Sequence, residues 1–457
     1  MAAAAAALCR RAYTTSMPPS AHVDVAIVGG GMVGSALAAA LNANPLTRQL
    51  RILLLDRQPP LALPRQVPEW DDLCVSTLTA PTVDILRELG VWRSLSVAAA
   101  PFCDMQVWGA DDGYVRFDAT AVGQAVMGHV LEDSLLKAAL HDQLRARGST
   151  VQLMMPATAV AADLPPYSPA AQLEGGSFVR LQLDDGSSLT TRLLVGADGC
   201  SSQVRQWSQF RCSGSEREQA SLVATVATSW PNQTALQRFL PTGPLALLPA
   251  RGGFSSVVWS CPSQMAAQLQ ALPRHELAAA ITSALTSGTH YPPKPRLGEL
   301  LGGILASARS TRFVAPPTVT AVVGHGPRTF LQTAQHAGRY VRPRVALVGD
   351  AAHSGHPFGL ASQGVNLGFG DAKVLAAAIA DAVATGQDIG SAAMLERQYE
   401  RPRRQPCSAM LSAADALRAI YMPQEGPVAG LRSLGLDIVN NTPLLKQALL
   451  RIAMHGL

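Results

Sequence analysis

The apolar and β-branched run from Val23 to Val28, followed at once by Gly29-Gly30-Gly31-Met32-Val33-Gly34, constrains this chain more than any other feature. An alanine-rich run from Ser35 to Leu41 reads as helix, Arg51 to Leu55 reads as a second strand, and the strand ends at Asp56, 22 residues after Gly34. Strand, GxGxxG turn, helix, strand and acid make the opening of a dinucleotide-binding unit. Gly29 allows the tight turn, Gly31 lets a pyrophosphate approach the backbone, and Gly34 lets the helix pack closely. Asp56 can accept hydrogen bonds from an adenosine ribose. FAD and NAD present the same ADP half to such a unit, so it leaves both open. No second GxGxxG follows, and no dedicated nicotinamide domain is visible.

Composition limits the remaining classes. The 457 residues are 48% hydrophobic and 15% charged, enough to bury a sizeable core in two or three lobes. The formal charge of +5 comes without a basic stripe or aromatic-rich basic patch, so nucleic acid is not an expected partner. The seven cysteines are scattered and form no CxxC pair, which argues against a disulfide framework or structural zinc and fits a reducing compartment. Residues 1–21 carry Arg10, Arg11 and many alanines, and the first acid is Asp24. That composition reads as a mitochondrial presequence, with plastid import or a disordered tail as alternatives. No stretch has eighteen uninterrupted apolar residues to span a membrane.

Two further constellations follow. Leu193 to Val195 runs into Gly196-Ala197-Asp198-Gly199, and Val204-Arg205 opens a helix; alone, Asp198-Gly199 also reads as an ordinary turn. Arg344 to Val348 is a strand ending in Gly349-Asp350-Ala351-Ala352-His353, and glycines 359, 364, 368 and 370 permit close passage beside a flat ring. A long helix follows through Thr385, with Gly386 as its C-cap. His353 and His356 lie three apart without a third ligand nearby, so no metal site is expected.

Taken together, the three blocks resemble the aromatic-ring flavoprotein monooxygenases of the para-hydroxybenzoate hydroxylase class. Gly29, Gly31, Gly34 and Asp56 look like their FAD fingerprint. Gly196 to Gly199 with Ser202, Val204 and Arg205 looks like their central motif, and Gly349 to His353 like their flavin-ribityl motif. Val75 to Thr79, Leu86 to Trp92, Gln237 to Phe239, Gly243 to Pro249, Val258 to Ser260 and Gln363 to Asp371 look most like the mitochondrial coenzyme Q ring hydroxylases, with the bacterial ubiquinone hydroxylases next. The resemblance implies that FAD is the cofactor and that Asp198, Gly199, Arg205, Gly349, Asp350, Gln363, Gly364, Val365 and Asn366 join the fingerprint residues in binding it. A helix starting at Gly364 to Asn366 can aim its positive end at the pyrimidine edge of a reduced flavin. His356, Pro357 and Tyr340 are the candidate catalytic residues.

The implied reaction is hydroxylation at C5 of a polyprenylated 4-hydroxybenzoate-derived ring through a flavin C4a-hydroperoxide, on the matrix side of the inner mitochondrial membrane. The implied partners are a ferredoxin and its reductase, other coenzyme Q biosynthesis proteins and the membrane surface. A flavoprotein dehydrogenase or reductase acting on a prenylated substrate, and a non-catalytic scaffold of a quinone-synthesis complex, are the alternatives. Three departures from the family pattern stand out: Cys74 where an arginine is usual, a longer link at Phe358 to Ser362, and Pro402 and Pro406 interrupting a stretch helical in relatives.

The expected fold class is α/β: a Rossmann-like FAD-binding domain in three pieces (22–100, 150–210, 340–390), an interleaved β-sheet substrate domain (101–149, 211–339) and a helical C-terminal region (391–457). Pro156 to Pro169 reads as a loop. From Pro443 to Met454, Leu444, Leu445, Ala448, Leu449 and Ile452 share an apolar side flanked by Lys446 and Arg451, which suits membrane or partner docking as well as ordinary helix packing.

Overall fold

The computed structural model describes residues 21–64, 74–109, 113–165, 178–288, 291–293, 312–354, 363–421, 435–436, 438–440 and 442–455. Residues 1–20 of the expected presequence, His356, Pro357 and the Phe358 to Ser362 link lie outside them.

The chain opens with β1 (Ala21–Val28), α1 (Met32–Ala43) and β2 (Ile52–Leu55), then β3 (Val75–Leu78) and α2 (Ala80–Glu88). Next come β4 (Ala100–Phe102), β5 (Asp104–Trp108), β6 (Tyr114–Asp118), β7 (Gly128–Glu132) and α3 (Asp133–Arg145). The middle holds β8 (Gln152–Met154), β9 (Ala159–Asp163), β10 (Val179–Leu183), β11 (Ser188–Gly196) and α4 (Gln203–Trp207). A run of long strands follows: β12 (Cys212–Thr228), β13 (Thr234–Leu240), β14 (Gly243–Pro249) and β15 (Ser255–Pro262). Helices α5 (Ser263–Ala271) and α6 (Arg274–Thr286) lead to β16 (Val319–Ala337), β17 (Val341–Arg342), β18 (Val345–Leu347) and β19 (His353–Ser354). The chain finishes with α7 (Gln363–Ala384), α8 (Ala392–Leu395), α9 (Arg401–Tyr421) and α10 (Pro443–His455).

One sheet has the order β17-β18-β11-β1-β2-β8, with β10 and β9 joining through β11. Its central strands β18, β11, β1 and β2 are parallel, and Val28 stands opposite both Gly196 and Leu55 while Gly196 stands opposite Leu347. The strands therefore end on one line, and all three glycine-rich turns leave from the same edge. Helices cover both faces of such a sheet, which is why β2 reads as an unbroken Ile-Leu-Leu-Leu run with every residue buried.

A second sheet runs β19-β16-β12-β15-β14-β13-β5-β6. Leu222, Ala224, Val226, Leu245, Leu247, Val257 and Trp259 on one face pack with Leu277, Ile281 and Leu285 of α6. Strand alternation sends Val223, Val258, Ala246 and Gln237 to the opposite face as one register row, and Thr225, Ser256 and Leu248 as the next. A three-stranded sheet, β3-β7-β4, completes the fold.

Four details differ from the sequence reading. The supposed loop from Pro156 to Pro169 contains β9, an alanine-rich strand that β10 recruits through an antiparallel ladder despite weak strand propensity. The stretch 101–149 is divided: β5 and β6 join the large second sheet, while α3 buries Leu136, Ala139 and Leu140 in the same core as α1 and β1. Pro402 and Pro406 do not interrupt α9, because one wide turn at Glu396–Glu400 precedes the helix and Pro406 is carried inside it. Strand β1 begins at Ala21, inside the expected presequence boundary.

Candidate active site

Of the four glycines in the first turn, Gly30 would press a Cβ on the Met155 side chain, two more are jammed against backbone and one is open. Gly29 has φ +110° and a Cβ there would overlap the Ala197 carbonyl oxygen; a Cβ at Gly34 would overlap the Gly29 carbonyl. At Gly31 a Cβ would meet nothing within 4 Å. Backbone is thus presented to open space at the one position where a pyrophosphate needs it.

Asp56 is engaged by its own turn: Oδ2 accepts from the Gly30 N–H at 2.7 Å and Oδ1 from the Gln58 N–H at 2.8 Å. The other side of the turn is held by His141 of α3, which sequence reasoning missed. Leu61 N–H donates to its Nδ1 at 3.0 Å, so Nε2 carries the proton and donates to the Gly30 carbonyl at 2.9 Å. Burial holds this imidazole below its ordinary value of 6.5, outweighing the Gly30 hydrogen bond that favours protonation. Stability tied to the neutral ring is complete above about pH 6.5 and is lost as pH falls through the depressed folded value. The chain is therefore expected to lose melting temperature on acidification below about pH 6.5 more steeply than His141→Gln, as thermal melts across that range will measure.

The second turn adjoins the first through the Ala197 N–H, which donates to the Val28 carbonyl at 2.8 Å. Asp198 caps α4 by accepting from Ser202 Oγ at 2.5 Å and from the N–H groups of Gln203 and Val204 at 2.7 and 3.2 Å. Gly199 has φ +81°. Arg205 is only 7% exposed and donates to the carbonyls of Cys200 at 2.5 Å and Ala351 at 3.0 Å and to Gln335 Oε1 at 2.7 Å. Its guanidinium, placed in the sequence reading among the cofactor contacts, ties the second turn to the third.

The third turn lies against α1. Gly349 has φ +59°, and Cβ atoms built at Gly349 and Gly368 would both press on Val33. Asp350 follows on an accessible but protein-ringed spot, its Oδ1 3.5 Å from where a Gly364 Cβ would stand. Solvent can reach the carboxylate, yet the surrounding protein raises its pKa, with His353 opposing and Asp371 reinforcing the shift. Asn366 turns its amide to β3 and α2, accepting from Thr82 Oγ1 at 2.7 Å and the Thr79 N–H at 3.1 Å and donating to the Thr77 carbonyl at 2.8 Å. It anchors the start of α7, where Gly364 and the half-buried Val365 also lie.

Gly29, Gly31, Gly34, Asp56, Asp198, Gly199, Gly349, Asp350, Gly364, Val365 and Asn366 therefore gather at one sheet edge; α7 starts at Gln363. Tyr340 does not join them. Its ring is 0% exposed and its hydroxyl pairs with His336 Nε2 at 2.7 Å. Burial, with Cys407 and Asp371 nearby, pushes the phenol well above its ordinary range, and the ring packs within the core of the first sheet. At Cys74 the backbone carbonyl accepts from the Asp133 N–H at 3.1 Å. Among the described residues, His353, Asp371 and Cys407 have potential ligand atoms within 4.8 Å of one another. Arg403 and the Gly349 N–H already occupy Asp371, so the cluster is an ion-pair network, not a metal centre.

Comparison with known proteins places these features. The FAD binding domain family matches residues 22–290 and 308–414. Rat mitochondrial ubiquinone biosynthesis monooxygenase COQ6 is 35% identical over 453 residues, covering 97% of this chain and 93% of the relative. The human COQ6 is 35% identical over 438 residues, covering 94% and 92%. Ubiquinone hydroxylase UbiL of Rhodospirillum rubrum is 34% identical over 438 residues, covering 95% and 90%. The solved structure of p-nitrophenol 4-monooxygenase PnpA from Pseudomonas putida matches with a TM-score of 0.68 at 16% identity over 94% of this chain and 97% of that one, a likeness of fold. With its glycine turns converging where a dinucleotide fits, the chain belongs to the FAD-dependent aromatic-ring monooxygenases, in the family that includes the COQ6 proteins.

Proposed function

We propose that this protein hydroxylates C5 of a polyprenylated 4-hydroxybenzoate-derived ring in ubiquinone biosynthesis, at the matrix face of the inner mitochondrial membrane. The observation that carries the reading is the meeting of three glycine turns at one sheet edge, beside a second sheet that takes up His353 and Ser354 directly after the third turn. When bound, FAD supplies oxygen activation in its reduced form. Gly29 to Gly34 would receive the pyrophosphate, and Asp350 with the start of α7 would receive the ribityl and ring end.

The remaining work falls to the chain's own residues. Met105, Val107, Phe117 and Val258 are partly exposed on the apolar face of the second sheet and can exclude water around a prenylated ring. Thr225 Oγ1 and Ser256 Oγ, opposite each other in register, are buried on that face without a hydrogen-bond partner. Electrons would come from a ferredoxin and its reductase, with other coenzyme Q biosynthesis proteins as neighbours. Anaerobic reduction of the purified protein by a ferredoxin system, then oxygen and a prenylated phenol, tests the proposal. The expected product carries one added oxygen at C5. Hydride transfer without oxygen consumption would favour a dehydrogenase, and bound FAD without turnover would favour a scaffold.

Among the described residues no helix is long and apolar enough to cross a membrane, so contact with the bilayer would be peripheral. Helix α10 supports such contact. Leu444, Leu445 and Leu449 are 81%, 40% and 38% exposed, while Leu450 and Met454 pack inward. Lys446, read from sequence as a flanking charge, is buried and donates to Asn440 Oδ1 at 3.1 Å. Leu444, the most exposed, gains up to about 2 kcal/mol on full burial in lipid, and Leu445 and Leu449, already more than half buried, gain proportionately less. Replacing all three by serine is expected to lower flotation with anionic liposomes at least several-fold; equal flotation would remove the membrane assignment.

A further inference from the structure

We infer that Asp371 is the positioning residue of the third turn: it fixes the Gly349 backbone so that Asp350 faces the cofactor cleft, and the segment Tyr399 to Arg403 holds it there. The inference rests on the proposal that this cleft takes FAD in the reaction cycle. Asp371 lies about two turns inside α7 and is 0% exposed. Its Oδ2 accepts the Gly349 N–H at 3.0 Å and meets His353 Nε2 at 2.6 Å; its Oδ1 accepts from Arg403 Nε at 2.7 Å. One carboxylate thus binds the residue just before Asp350, the residue that ends the turn, and a helix from the C-terminal region.

A buried charge of this kind is costly unless its partners are well placed, and a hydrophobic residue would fill the same volume more cheaply. Burial works against the carboxylate's charge, and His353 and Arg403 together keep its pKa below the ordinary range. The surroundings are built for these partners. A Cβ at Gly370 would stand 2.8 Å from Arg403 Nη2, so glycine is what lets the guanidinium cross α7 and reach the Leu367 carbonyl at 3.0 Å. The neighbouring residues grip the strands entering the turn. Glu400 accepts from the N–H groups of Tyr340 and Val341, each at 2.9 Å, and Tyr399 donates to the Leu347 carbonyl at 2.5 Å.

The test uses the full chain and three measurements: FAD titration of the apoprotein, the midpoint potential of the bound flavin, and melting of the FAD-free protein. Asp371→Asn keeps the shape and removes the charge. Its FAD Kd is expected to rise about tenfold or more, equivalent to ~1.4 kcal/mol, with a shifted midpoint potential. With turnover substrate, kcat should fall while the KM for the phenol stays unchanged. His353→Gln should move Kd and potential in the same direction by less. Lys373→Gln, an exposed change on the same helix, should match the wild type.

A folded Asp371→Asn protein with wild-type Kd and potential would overturn the inference. Should that variant fail to fold, Arg403→Lys keeps the charge but loses the forked reach to Leu367; an unchanged Kd and potential there would overturn it equally. Failure of the wild-type chain to take FAD would instead refute the underlying functional proposal, and the wild-type titration reads that first.

Discussion

Gly31→Ala is expected to leave the melting temperature of the FAD-free chain unchanged while weakening FAD binding about 100-fold, ~2.7 kcal/mol. Gly31 has φ −68° and ψ −175°, extended backbone that alanine adopts without strain, and its Cβ would project into open space. The new methyl therefore costs the fold nothing and stands only in the way of the pyrophosphate. Gly34→Ala is the informative contrast, because its Cβ would overlap the Gly29 carbonyl and approach Ala197 Cβ to 3.0 Å. That variant is expected to lose both FAD affinity and melting temperature. If Gly31→Ala bound FAD as the wild type does, the first turn would not be the pyrophosphate site.

Arg205→Met is expected to cost about 3 kcal/mol of stability, read as a lower urea midpoint, and to remove most FAD binding with it. The substitution keeps the apolar stem but abandons three acceptors: Cys200 O, Ala351 O and Gln335 Oε1. Hydrogen bonds from a charged donor are worth about 1.5–3 kcal/mol each, and buried carbonyls left without a donor add their own penalty. Arg205→Lys is expected to recover little, since a single ammonium cannot span sites that a planar fork reaches together. An unchanged midpoint in Arg205→Met would show that the second and third turns hold their places independently.

The glycine turns were legible in the sequence because backbone geometry and ligand approach restrict residue choice over a few neighbouring positions. The same holds for β1, α1, β2, the strand into Gly196 and the long helix ending near Gly386. What could not be read are contacts set by the meeting of distant segments. His141 looks like one polar residue in an amphipathic helix until Gly30 and Leu61 arrive on its two nitrogens. Asp371 sits inside a recognised motif, yet only the fold brings Arg403 and Gly349 to it. Arg205 and Tyr340 were visible as residues, but their tasks depended on who faced them: carbonyls in one case, a histidine within a closed core in the other. Strand β9 shows the same limit for secondary structure, since alanines become strand when a ladder is offered.

The pairing of His353 and Ser354 with His336 and Gln335 has a mechanical consequence. These two residues are at once the exit from the third turn and the edge strand of the large second sheet. A displacement of β16 at that rung would have to be taken up by the short segment that follows Asp350.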